Sequence, residues 1–186
     1  MPKPTGAGRS SREPSPAVAL VVSRYNPSVT DRLRDGALLE YATRFPGASG
    51  VVIVDAPGSF ELPALSLAAA RGGRFEGVVA LGCLIKGETS HDRYIAQAVS
   101  QGLLGVTLST GIPVAFGVLT VDTPRQARDR AGGRLGNKGQ EAMAAVLDSI
   151  DQIRILEGRS AFRAAVVTEG ITGVVDKAAG RRGRRA

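Results

Sequence analysis

The chain has 186 residues, with 24 Lys and Arg against 17 Asp and Glu, a formal net charge of +7; that length suits one ordinary domain and is tight for two. Apolar residues at 43% and charged residues at 22% lie near the globular norm, which argues against wholesale disorder. One cysteine, Cys83, excludes an internal disulfide or a multi-cysteine metal cage, and one histidine, His91, excludes a two-histidine site. The charge is unevenly spread. Residues 1–16 carry Lys3, Arg9 and Arg12 against Glu13, and residues 158–186 carry seven basic and two acidic side chains, so residues 17–157 hold 14 of each sign. These shifts divide the chain into a flexible, Pro/Gly/Ser-rich basic tail at 1–16, a neutral folded body at 17–157, and an extension at 158–186 ending in an Arg-rich run.

Along the body, Ala17 to Val22, Gly50 to Asp55, Gly77 to Ile85 and Pro113 to Thr120 are short Val-rich apolar runs. Their continuous apolar character predicts strands covered on both faces, the habit of a parallel sheet. Between them lie amphipathic patterns. Leu33, Ala37, Leu38 and Tyr41 give the first predicted helix its apolar face, with Ser28 as N-cap and Asp31 in the first turn. Glu61 to Ala70 is the second helix, and Ile95, Val99, Leu103 and Val106 mark the third. Pro124 suits the first turn of a short fourth, and Met143, Val146, Leu147 and Ile150 mark a long last helix. Strand and helix alternate four times, so the fold class is α/β: a four-stranded parallel sheet flanked by helices. Beyond the body, Ala164 to Thr168 suits a strand, while Ile171 to Ala179 reads either way. The apolar run after the N-terminal tail is too short for a signal peptide, and Gly111 and Pro113 interrupt the longest uncharged stretch, Tyr94 to Val121. A cytoplasmic protein without a membrane partner is expected.

Ligands of such sheets sit outside the carboxyl ends of the strands, which directs attention to 23–27, 56–61, 83–91 and 130–138. Gly87-Glu88-Thr89-Ser90-His91 leaves a buried strand and enters a helix, where unpaired N–H groups favour an anion such as phosphate. His91 adds a side chain of the kind that titrates near neutrality. The same residues also fit a plain capped helix start. Pro57-Gly58-Ser59-Phe60-Glu61, taken alone, is most simply a turn, a cap and a first-turn acid, and Tyr25 an aromatic in core packing. Gly136-Asn137-Lys138-Gly139 lacks the spacer and the Ser/Thr of a phosphate loop. Cys83, inside a strand, behaves as a small apolar residue. The residues alone reach an α/β small-molecule binder for a phosphorylated ligand, with His91 as acid or base.

In order and at these spacings, SRYN at Ser23 to Asn26, PGSFELP at Pro57 to Pro63, GCLIKGETSH at Gly82 to His91, FGVLT at Phe116 to Thr120, DRAG at Asp129 to Gly132 and GNKG at Gly136 to Gly139 resemble the 6,7-dimethyl-8-ribityllumazine synthase family. The resemblance covers the whole body and implies a flavodoxin-like three-layer subunit of a pentamer-based assembly. It implies condensation of a ribitylamino-pyrimidinedione with 3,4-dihydroxy-2-butanone 4-phosphate, the penultimate step of riboflavin synthesis, with no metal or redox cofactor. By resemblance, Tyr25 stacks on the pyrimidine ring. Ser59, Phe60 and Glu61 border the same substrate, with Glu61 on the ribityl hydroxyls. Cys83, Leu84 and Ile85 contact the heterocycle through backbone, and Phe116 closes the pocket from a neighbouring subunit. Glu88 and Thr89 hold the phosphate with Arg130 as its cation, Lys138 lies nearby across the same subunit boundary, and His91 transfers protons. The short connection Gly132 to Gly136 resembles that of members that close into a shell. Two other readings remain: a non-catalytic relative that binds a flavin-like ligand or serves as a shell, and an assembly that takes nucleic acid or acidic cargo on its Arg-rich tail.

Overall fold

The computed structural model describes residues 15–159 and the backbone of two further strands at 163–168 and 171–176. The tail at 1–14 and the Arg-rich end lie outside the described residues. The elements run β1 (Val18–Ser23), α1 (Pro27–Arg44), β2 (Val51–Ala56), α2 (Leu62–Arg71), β3 (Gly77–Ile85), α3 (His91–Thr110), β4 (Val114–Val121), α4 (Pro124–Asp129), β5 (Ala131–Gly133), β6 (Gly136–Asn137), α5 (Lys138–Leu156), β7 (Arg163–Thr168) and β8 (Ile171–Asp176). The first four strands form one parallel sheet in the order β2-β1-β3-β4, with Val18 opposite Val51 on one side and Gly77 on the other.

Side chains of a strand alternate between faces, and β1 and β3 are apolar on both. Val18, Leu20, Val22, Val79 and Leu81 pack against Leu33 of α1 and Met143, Leu147 and Ile150 of α5. Ala19, Val21, Val78 and Ala80 face Leu62 of α2 and Val99 and Leu103 of α3. The result is three layers, each fully buried Leu or Val contributing about 1.5–3 kcal/mol. The expectation of strands covered on both faces holds for β1 and β3 and fails for β2. Val52 and Ile53 are 40% and 46% exposed, because β2 is a sheet edge that the helices of one subunit do not cover.

The first helix starts differently from its expectation. Pro27 occupies its first position and Asn26 is the cap, so Ser28 lies inside the helix. Asp31 lies beyond the first turn, where it accepts from Arg24 at 2.7 Å and from Arg34 at 3.0 Å. Helix α2 begins one residue later than expected, with Glu61 as its cap. Thr123 and Gln126 form a reciprocal capping box at α4, whose first residue is Pro124 as expected. The antiparallel strands β5 and β6 turn the chain tightly into α5. Helices α1 and α5 approach so closely that a Cβ on Gly139 would collide with the Leu33 carbonyl, and one on Gly36 with the Asn137 side chain. Beyond α5, β7 and β8 pair antiparallel, so Ile171–Asp176 of the ambiguous stretch is a strand, while 177–179 lie outside the described residues.

Candidate functional site

The carboxyl ends of β1, β2 and β3 open into a cleft of about 440 Å3. From the β1 exit come Tyr25 and Asn26, from the β2 exit Ser59, Phe60 and Glu61, and from β3 and its connection Cys83, Leu84, Ile85, Thr89 and His91. Tyr25 and Phe60 are 69% and 62% exposed, so their rings stand open to a planar partner. The expectation that Tyr25 packs as an ordinary core aromatic is therefore overturned.

Asn26 explains how the strand exits are tied together. It is the one non-glycine residue among those described with positive φ, at 61°. Asn tolerates this left-handed conformation better than most residues because its short amide finds local partners. Here the amide makes no cap bond to α1; Nδ2 donates across to the Cys83 carbonyl at 3.0 Å. That bond joins the β1 and β3 ends, from which Tyr25 and Cys83–Ile85 line the same cleft. Asn26 stood in the sequence motif without a role of its own; the signal was an Asn before Pro at a strand end.

Ser59 is buried, and its Oγ has no hydrogen-bond partner among the described residues. A Cβ on Gly82 would lie 2.7 Å from that oxygen, so glycine leaves the hydroxyl room at the floor of the cleft. An unpaired buried hydroxyl costs about 1–3 kcal/mol, a cost that a bound polar ligand would remove. Burial pushes the Cys83 thiol up from 9.0 to about 11. A raised thiol pKa means its stabilising effect is complete below the ordinary value and lost as pH rises through about 11. At pH 8, iodoacetamide should therefore label Cys83 slowly in the folded protein and rapidly after unfolding; fast labelling of the native state would contradict this burial.

The β3–α3 connection forms a ridge between the cleft and a second hollow of about 350 Å3. Gly87, Thr89 and Asp92 border both, whereas Glu88 lines the second, with Lys86, Arg93 and Asp122. His91 opens α3 and is exposed at the cleft mouth. Besides Glu88, which lines only the second hollow, three expected site residues do not line the cleft of their own subunit. Phe116 stands on β4, the opposite sheet edge from β2, 40% exposed. Arg130 ends α4 and is exposed. Lys138 begins α5, ion-paired with Glu141 at 2.9 Å. The last two are neighbours, since the Lys138 amide donates to the Arg130 carbonyl at 2.9 Å. Among the described residues no group of three His, Cys, Asp or Glu is placed to hold a metal, and no helix is long and apolar enough to cross a membrane.

A parallel α/β sheet with aromatic rings, a carboxylate, an unpaired hydroxyl and a histidine gathered at its strand ends defines a flavodoxin-like small-molecule site rather than a nucleic-acid or structural surface. A family model described as 6,7-dimethyl-8-ribityllumazine synthase matches residues 15–154. The chain belongs to that family. A protein of Caulobacter vibrioides named 6,7-dimethyl-8-ribityllumazine synthase 1 is 45% identical over 139 residues, covering 75% of this chain and 91% of the relative. The synthases of Thermus thermophilus and Edwardsiella ictaluri are 43% and 42% identical, covering 77% of this chain and 89% and 93% of theirs. Family membership implies small-molecule substrates and a homo-oligomer. The non-catalytic and nucleic-acid readings find no support in these relatives.

Proposed function

We infer that the protein condenses 5-amino-6-(D-ribitylamino)uracil with 3,4-dihydroxy-2-butanone 4-phosphate to 6,7-dimethyl-8-ribityllumazine, releasing phosphate and water. The observation that carries this reading is the convergence of three separate sequence segments, around Tyr25, Glu61 and His91, on one cleft in a chain of this family.

The exposed Tyr25 ring stacks on the pyrimidinedione, and the Cys83–Ile85 backbone meets its polar edge. Ser59 Oγ, Phe60 and Glu61 receive the ribityl chain, whose hydroxyls supply the partner that Ser59 lacks. Thr89 and the N–H groups at the α3 entry, the Glu88 amide among them, hold the phosphate with Arg130 as the cation. Attack of the uracil amine on the butanone carbonyl, phosphate elimination and ring closure each move a proton near neutral pH. His91 at the cleft mouth serves these transfers. Much of the acceleration comes from holding two substrates together, and the ring closure is intramolecular once the imine exists.

The site is shared between copies of the chain. Phe116, Arg130 and Lys138 are absent from the cleft of their own subunit yet belong to the same chemistry, which supports their delivery by a neighbour in a pentamer. The short turn from Gly132 to Gly136 supports closure of pentamers into a hollow shell. Mixing the two substrates with the purified protein should produce lumazine absorbance together with an equal amount of inorganic phosphate. A folded, assembled protein that forms neither product would overturn the assignment.

A further inference from the structure

We infer that Asn137 is a positioning residue for the Arg130–Lys138 pair, holding both cations at the angle from which a neighbouring subunit's cleft takes the phosphorylated substrate. This rests on the reading that these cations complete a neighbour's site.

The segment that carries them is poorly suited to holding a shape unaided. Gly132, Gly133 and Gly136 fall within five residues, two of them at φ of 90° and 79°, and glycine loses more conformational freedom on ordering than any other residue. Asn137 ties this segment down on three sides. Its backbone pairs with Ala131, the residue after Arg130. Its Oδ1 accepts from Gly139 N at 2.9 Å and Gln140 N at 3.3 Å, capping the helix that Lys138 begins. Its Nδ2 donates to the Arg32 carbonyl of α1 at 2.8 Å. The two bonds to Oδ1 are what any helix cap provides. The third is not: it pins the turn to α1, and the missing side chain at Gly36 provides the space for it. Because the Lys138 amide bonds the Arg130 carbonyl, a shift of Asn137 moves both cations together. An arginine that binds phosphate through paired N–H groups is sensitive to such a shift.

The test is Asn137→Ser, which keeps a preferred cap for α5 but cannot reach Arg32, with Asn137→Asp as a second variant that keeps Oδ1 and loses the donor. In the full assembled protein both should raise KM for 3,4-dihydroxy-2-butanone 4-phosphate about tenfold while kcat stays within about threefold. Co-assembly of Asn137→Ser with His91→Ala subunits should restore low-KM sites, since a variant's own His91 then meets an intact neighbouring turn. Arg130→Ala is the reference. If it raises that KM and both Asn137 variants leave it unchanged, or lower kcat in step, the positioning role is overturned and the assignment stands. If Arg130→Ala leaves the KM unchanged, the shared-site reading fails and the proposal fails with it.

Discussion

His91→Ala is expected to slow lumazine formation about 100-fold, the lower end of what a positioned acid–base group contributes, while fold and assembly persist. The side chain is exposed at the first position of α3, so its loss leaves no cavity. The reaction should continue at a reduced rate because the cleft still brings amine and carbonyl together. Wild-type turnover in this variant would remove His91 from the mechanism. The proposed sharing of the site between subunits adds a sharper test. Subunits carrying His91→Ala and subunits carrying Arg130→Ala should each be poor alone. Co-assembled at random, about one cleft in four combines an intact His91 with an intact neighbouring Arg130. Activity well above the sum of the two homogeneous assemblies is the expected result, and its absence would place both residues in the service of one subunit.

Gly139→Ala should be the most damaging small substitution in the body. An added methyl would meet the Leu33 carbonyl, and backbone on both sides leaves nothing free to swing away. Either α5 retreats from α1, opening the contact of Leu33 with Met143 and Ile150, or the first turn of α5 unwinds. Overpacking of this kind costs about 3 kcal/mol or more. At roughly 2–4 °C per kcal/mol for a domain of this size, Tm should fall by about 10 °C. The measurement is a thermal or urea transition at fixed protein concentration, because assembly adds to apparent stability. A loss below about 0.5 kcal/mol would show that the helices separate without cost.

Strand and helix identities were legible because β1 and β3 are continuous apolar runs and α3 and α5 repeat at helical spacing; a parallel sheet buried on both faces leaves that signature. Boundaries were less legible where a cap is set by a distant partner. Ser28 is a good cap by composition, yet the helix starts at Pro27 because Asn26 turns left-handed and spends its amide on Cys83, 57 residues away. The exposure of β2 was hidden for a related reason: Val52 and Ile53, on opposite faces, look like any core strand, and their exposure follows from an edge position in the sheet order.

By itself the sequence determined the α/β alternation and the confinement of net positive charge to the two tails, and it named candidate site residues, since these depend on residue type, spacing and motif. The tertiary structure decided which of those residues share a cleft. Tyr25, Ser59, Phe60, Glu61, Thr89 and His91 meet because adjacent parallel strands end on the same side. Phe116, Arg130 and Lys138 stand apart from them because β4 and the turn into α5 place them elsewhere on the subunit. Spacing along a chain says which chemistry is present; only packing says whether two groups can reach the same ligand.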